Sequence, residues 1–195
     1  AVSGPSVVSW DFAVSILPGW HSTLFPPYFV AGAILSGVAM VLTILVPLRR
    51  WLHLEEIITP RHLDMRSRLV LLTSLIVTYS YSTEILTALG EPVSDPERST
   101  FVYRMTGHYA PLFWLMVACN CAGPALLLSG RIRRNIRAVF AISLFVNVGM
   151  WLERFNIVVT SLAHDRNPFN WRPYTPSWVE WALTLGAFGW FFLLF

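Results

Sequence analysis

The stretch that decides the fold is Pro26-Pro27-Tyr28-Phe29-Val30-Ala31-Gly32-Ala33-Ile34-Leu35-Ser36-Gly37-Val38-Ala39-Met40-Val41-Leu42-Thr43-Ile44-Leu45-Val46-Pro47-Leu48, followed at once by Arg49-Arg50. No ionisable side chain interrupts it. A bilayer core is crossed by roughly 20 apolar residues in a helix, and this run supplies them. The two prolines at its start suit a first helical turn, whose N–H groups have no partner in any case. The arginine pair ends it.

Working outward, comparable runs recur. Ala1 to Leu17 is a first, shortened segment closed by Pro18-Gly19, and Leu69 to Leu89 is a third, ended by Gly90. Tyr109 to Leu128 is a fourth, with a kink expected at Gly123-Pro124. Ala138 to Leu162 is a fifth, and a sixth begins near Trp178. The expected fold is all-α, a polytopic transmembrane helix bundle of about six membrane segments. Residues 1–195 form one transmembrane domain, expected to be an internal piece of a longer chain.

Composition agrees. The 195 residues are 55% hydrophobic and 13% charged, with mean hydropathy +0.56, against about a quarter charged in an ordinary soluble domain. All 14 basic residues are arginine and the net charge is +3. The arginines sit in short loops between apolar runs, a topological signal and not a nucleic-acid one. Arg49, Arg50, Arg61, Arg66 and Arg68 follow the second segment, and Arg131, Arg133, Arg134 and Arg137 follow the fourth. The opposite loops carry only Arg98, Arg104, Arg166 and Arg172. The arginine-rich loops must share a side, expected to be the cytoplasmic one. Trp20, Tyr109, Trp171, Tyr174 and Trp178 then fall at the other boundary as interfacial anchors. Gly32/Ser36 and Ala33/Gly37 place small residues at the spacing that lets helices approach closely.

Function must lie in the few polar groups inside these runs, because an ionisable residue there costs roughly 2.5–3.5 kcal/mol on insertion scales. Asp11 stands in Ser9-Trp10-Asp11-Phe12 near the end of the first segment. Glu84 stands near the end of the third, and Glu153-Arg154 in the outer half of the fifth. Glu84 can cap a neighbouring helix or carry protons. Glu153 and Arg154 point roughly 100° apart on a helix, so each needs a partner from another helix, as a structural pair or as a proton relay. His21 follows Asp11 in the next loop, and His108 precedes the fourth segment. A quinol sheds two protons when it is oxidised. A carboxylate and an imidazole near the membrane surface can accept hydrogen bonds from its hydroxyls and then take those protons.

No histidine lies mid-helix, so paired haem ligands are not expected here. Cys119 and Cys121, at i and i+2, do not share a helix face and read as structural thiols. No metal or haem is expected on this chain, so electrons taken from a quinol must leave to another subunit.

Three stretches carry a resemblance: Val7-Val8-Ser9-Trp10-Asp11-Phe12-Ala13, Pro18-Gly19-Trp20-His21-Ser22-Thr23, and Phe25-Pro26-Pro27-Tyr28-Phe29-Val30-Ala31-Gly32-Ala33-Ile34. So do His62-Leu63-Asp64-Met65, Tyr81-Ser82-Thr83-Glu84, and Asn147-Val148-Gly149-Met150-Trp151-Leu152-Glu153-Arg154-Phe155. Together these resemble the membrane subunit of bacterial alternative complex III, the C subunit more than the F subunit. That subunit is of the NrfD-like family, which includes the polysulfide reductase membrane subunit. The resemblance implies a middle portion of a subunit of about ten helices in the bacterial cytoplasmic membrane. It implies a quinol:electron-acceptor oxidoreductase with a quinol or menaquinol pocket on the periplasmic side. Asp11 matches the family's proposed quinol-site carboxylate, with Trp10 and His21 beside it. The family often has a histidine where this sequence has Pro5. Implied partners are an iron–sulfur subunit, multihaem cytochromes c and a second NrfD-like membrane subunit. Two other readings stand beside this one: a structural anchor for redox subunits, and a proton transporter using Glu84, Glu153 and Arg154.

Overall fold

The computed structural model describes residues 3–15, 25–90, 92, 96–163 and 174–194. Among them every regular element is helical. Helix α1 spans Ser3–Ala13, α2 Phe25–Trp51, α3 Pro60–Gly90 and α4 Pro96–Thr106. Helix α5 (Ala110–Val117) runs through a π-helical turn, Ala118–Ala122, into α6 (Gly123–Ala125) and a 3₁₀ turn, Leu126–Leu128. The short α7 (Gly130–Arg134) leads into α8 (Ile136–Phe155), which passes through a second π-helical turn, Asn156–Thr160, to α9 (Ser161–Ala163). Helix α10 spans Trp178–Leu194.

Four stretches are long and apolar enough to cross a membrane: Pro26–Trp51, Pro60–Gly90, Ala110–Leu128 and Ile136–Ala163. The expected first and sixth segments are helices α1 and α10, of 11 and 17 residues. Helix α1 stops at Ala13, short of the expected end at Leu17, and Ile16 and Leu17 lie outside the described residues.

The bundle is built around α2, which packs against α1, α3 and α8. Leu35, Ala39 and Leu42 of α2 are fully enclosed with Val70 and Val77 of α3 and Val139 and Val146 of α8. The small-residue expectation for α2 holds at Gly32, where an added Cβ would stand 3.1 Å from Met150 Cε and 3.5 Å from Glu153 Oε1. At Gly37 such a Cβ would meet nothing within 4 Å.

Local chemistry sets the ends. The Asn135 side chain caps α8, accepting from the N–H groups of Arg137 and Ala138. Ser177 and Glu180 form a reciprocal box at the start of α10: Glu180 Oε2 accepts from Ser177 N, and Ser177 Oγ accepts from Glu180 N. After α2 the chain turns at His53, whose φ of 53° is left-handed, and Leu54 N bonds back to Arg49 O at 3.0 Å.

Three expectations need correction. Helix α3 begins at Pro60 and not at Leu69. The charges of its first turns are held together, Asp64 bonding Arg68 of its own helix at 2.8 Å and Arg133 of α7 at 3.1 Å. The interval expected as a loop before the fourth span contains α4, where Pro96 opens a helix that buries Thr100, Phe101 and Arg104. Tyr109 is not an interfacial anchor: it is 4% exposed, and its hydroxyl accepts from Tyr174 N at 2.6 Å. Trp20 and Trp171 lie outside the described residues, while Trp178 is exposed.

Candidate functional site

The kink expected at Gly123-Pro124 is realised one turn earlier, and it creates a polar site. Proline has no N–H, so Pro124 cannot donate to the carbonyl of Asn120, four residues back. The helix widens into the π turn, where Gly123 N reaches Ala118 O. The freed Asn120 carbonyl accepts instead from Ser74 Oγ of α3 at 2.7 Å. The widening also aims the Asn120 side chain into the bundle. Gly149 of α8 makes that possible: a Cβ there would overlap Asn120 Oδ1 and lie 2.7 Å from Cys119 Cβ.

What Asn120 meets is Glu153, 1% exposed at the centre of the bundle. Glu153 Oε2 accepts from Asn120 Nδ2 at 3.0 Å and from Tyr81 Oη of α3 at 2.7 Å. Asn120 Nδ2 also approaches Tyr81 Oη at 3.1 Å. Tyr28 of α2 is buried alongside, its ring 5.6 Å from that of Tyr81, and Gly32 one turn further along α2 faces Glu153 Oε1. Four helical segments thus converge on one carboxyl. A buried carboxyl with two phenols and an amide can hold a proton, or exchange it along the hydroxyls, without moving its neighbours. Among the described residues Asn120 Oδ1 has no hydrogen-bond partner.

A second cluster lies beside it, around a buried arginine. Arg104 of α4 donates from Nε to Thr160 Oγ1 at 3.0 Å and from Nη2 to Ser161 Oγ at 2.7 Å, and its Nη1 reaches Glu84 Oε1 at 3.4 Å. Thr160 and Ser161 flank the end of the second π turn, so this distortion too presents polar groups to the bundle. Thr160 Oγ1 also donates to the Asn156 carbonyl.

A third polar group lies on α8 toward the arginine-rich end. Thr43 Oγ1 of α2 accepts from Asn147 Nδ2 at 2.9 Å and lies 3.0 Å from Ser143 Oγ. From Ser143 to Thr160 the helical rise is about 26 Å, most of a bilayer core of roughly 30 Å. The line is interrupted between Asn147 and Glu153, where Met150 fills the interval and is 4% exposed.

The sequence-read residues fall as follows. Glu153 meets several donors from other helices, as expected, while Glu84, expected to cap a neighbouring helix or carry protons, is paired to Arg104. Arg154 differs from expectation. Among the described residues it meets no carboxylate, and its guanidinium lies over the Phe29 ring, 4.1 Å from the centroid. Phe29 in turn stacks with Phe12 of α1 at 6.2 Å. Asp11, next to Phe12, is exposed on the outward side of α1 with Trp10, which is 64% exposed. Among the described residues Asp11 makes no hydrogen bond or ion pair. His21 lies outside the described residues, and His108 packs edge-on against Tyr109. The described residues contain no group of His, Cys, Asp and Glu able to hold a metal. Sequence reasoning missed Tyr81, Asn120 and Arg104. An asparagine one turn before Gly-Pro in an apolar run was the available signal for the second. Pro96-Glu97 opening a helix was the signal for the third.

No curated protein matches the chain. The family model for polysulphide reductase, NrfD, matches residues 6–164, from α1 through α9 and across both outer clusters. Proteins of this kind are membrane subunits of quinol-linked redox complexes and usually partner with iron–sulfur subunits. With most of its length matched, the chain belongs to the NrfD family of integral membrane subunits.

Proposed function

We propose that this chain is the quinol-binding subunit of a respiratory or photosynthetic complex of the alternative complex III type, in the bacterial cytoplasmic membrane. It oxidises quinol, menaquinol among the candidates, at the end opposite its arginine-rich loops. The electrons leave to an iron–sulfur subunit and then to multihaem cytochromes c, beside a second NrfD-like subunit. Helices α1 and α10 count here as membrane segments, making six. The observation that carries the reading is the contact series from α1 inward: Asp11 adjoins Phe12, Phe12 stacks on Phe29, and Phe29 carries the Arg154 guanidinium. The exposed Asp11 thereby stands one residue from a series of contacts that leads through two aromatic rings to Arg154, the sequence neighbour of the buried Glu153.

Oxidation releases two electrons and two protons. Asp11 accepts a hydrogen bond from one quinol hydroxyl and takes its proton, and His21 serves the other. Trp10 and the Phe12–Phe29 pair flank the ring. Asp11→Asn keeps the size and removes the basicity. The complex should assemble with its cofactors and oxidise quinol about 10²-fold more slowly, as expected for loss of a general base. The measurement is quinol-dependent acceptor reduction per assembled complex, and wild-type turnover would refute the assignment.

A second reading is favoured by one observation, the enclosure of Glu153 among Tyr28, Tyr81 and Asn120. In it, Glu153 and Glu84 move protons through the outer half of the bundle, with Arg154 setting the field around them.

A further inference from the structure

The arginine-rich end holds a feature that quinol chemistry does not use. The last turns of α2 and the first turns of α8 diverge to leave a cleft of about 460 Å³. Its floor is apolar, formed by Val46 and Pro47 of α2 and by Ile136 and Phe140 of α8. Its mouth carries Arg49, Arg50 and Arg137, with Trp51 at the rim. The floor belongs to membrane-spanning segments and the mouth to their ends, so the cleft straddles the membrane boundary.

The charges at the mouth are unequal. Arg49 is committed: Nε donates to the Ile58 carbonyl at 2.6 Å, and Nη1 lies 3.9 Å from Glu55 Oε1. The turn at His53 folds Glu55 back to this position. Among the described residues Glu55 is the one carboxylate lining the cleft, and it is 64% exposed. Arg50 and Arg137 are exposed, and among the described residues neither meets a carboxylate. Two uncommitted guanidiniums, a third held between them and the protein, and an apolar floor running into the membrane describe a site for an amphipathic anion. Guanidinium groups bind phosphate oxygens in paired hydrogen bonds. Basic pockets between membrane helices at this boundary suit lipid headgroups, and Trp51 is the residue type that settles at headgroup depth.

We propose that this cleft binds an anionic glycerophospholipid. Its phosphate sits between Arg50 and Arg137, with Arg49 behind, and an acyl chain lies along Val46 and Phe140. A free phosphate would satisfy the arginines and leave the apolar floor uncovered, so the lipid is the better occupant. The inference is independent of the quinol reading, and its test does not use turnover.

The purified full complex is exchanged into nanodiscs of phosphatidylcholine doped with phosphatidylglycerol, and bound lipid is counted by native mass spectrometry. Wild-type complex should retain phosphatidylglycerol selectively. Arg50→Gln/Arg137→Gln should bind it about thirty-fold more weakly, given the attraction of an anionic lipid to each nearby arginine. The charge-matched control Arg61→Gln/Arg134→Gln should match wild type. Inorganic phosphate at millimolar concentration should not displace the lipid. Equal retention by the double variant and wild type overturns the proposal. Displacement by inorganic phosphate alone shows a free-anion site and overturns it too. Should the double variant fail to assemble, wild-type complex is labelled with a phosphatidylglycerol carrying a photoreactive acyl chain. Adducts on Val46 or Phe140 then support the site, and labelling confined to other helices overturns it.

Discussion

Glu153 shows what one residue's position costs and allows. A charged or neutral carboxyl at 1% exposure must spend its oxygens on donors, and Tyr81 and Asn120 supply them to the same oxygen. Glu153→Ala strands a buried phenol and a buried amide. Each stranded group costs about 1–3 kcal/mol, so the apparent melting temperature of the complex in detergent should drop sharply. Glu153→Gln retains an acceptor oxygen in the same volume and should assemble with near-normal thermal stability. If the carboxyl moves protons, the glutamine variant oxidises quinol yet changes the number of protons released per quinol. An unchanged proton count alongside unchanged turnover would make Glu153 purely structural. At this scale the sequence was partly legible. Carboxylates inside apolar runs announce themselves, whereas Tyr81 and Asn120 are neutral and stand 72 and 33 residues from Glu153. Hydropathy does not flag such groups, and no local period encodes the pairing. Arg154 was legible as a charge needing company, but its company is an aromatic face, which no charge count anticipates.

At the scale of elements, the Glu153 and Arg104 clusters depend on interrupted helices. A regular α-helix satisfies its own carbonyls, so it offers a neighbour only side chains. The π turns at Ala118–Ala122 and Asn156–Thr160 are where Asn120 and Thr160 turn to the bundle. Gly-Pro made the first interruption readable in advance. The second has no proline, and the chain continues through Asn156-Ile157-Val158-Val159-Thr160 without a sequence mark. Helix α4 was hidden for another reason: its arginines made it look like a polar loop, while Arg104 is in fact turned inward to Glu84, Thr160 and Ser161. The contact between α8 and the first π turn gives the sharpest prediction here. Gly149→Ala gains about 1 kcal/mol of helix propensity. However, its Cβ would overlap Asn120 Oδ1 and Cys119 Cβ, and forcing an extra carbon into a packed contact costs about 1–3 kcal/mol. Displacement of Asn120 from Glu153 adds to that. The net result should be lower thermal stability and a weakened site. Gly37→Ala, with open space around the new methyl, should be neutral or slightly stabilising. Equal melting temperatures for the two variants would show that the close approach at Gly149 does not hold in the assembled protein.

For the whole molecule, orientation decides where the chemistry happens. The contact of Asp64 with both Arg68 and Arg133 fastens the start of α3 to α7. The stretches Arg49–Arg68 and Arg131–Arg137 are therefore at one end of the bundle, as the arginine counts required. Asp11, Glu84 and Glu153 lie toward the other. Arginine in short loops favours the cytoplasmic side, so the arginine-rich end should face inward and the Asp11 end outward. The test is single-cysteine labelling of intact cells with a membrane-impermeant maleimide. The native Cys119 is buried and Cys121 half-buried inside the bundle. Glu56 and Arg134 are exposed at the arginine-rich end, and Pro92 is exposed just beyond α3 at the opposite end. Glu56→Cys and Arg134→Cys should label only after the membrane is permeabilised, and Pro92→Cys should label in intact cells. The two possible failures mean different things. If Glu56→Cys and Arg134→Cys behave oppositely, the Asp64–Arg133 contact cannot exist and the helix arrangement itself is wrong. If both label from outside and Pro92→Cys does not, the arrangement survives with its direction reversed. Under the quinol-site proposal, Asp11 would then take protons at the inner surface and release them into the cytoplasm.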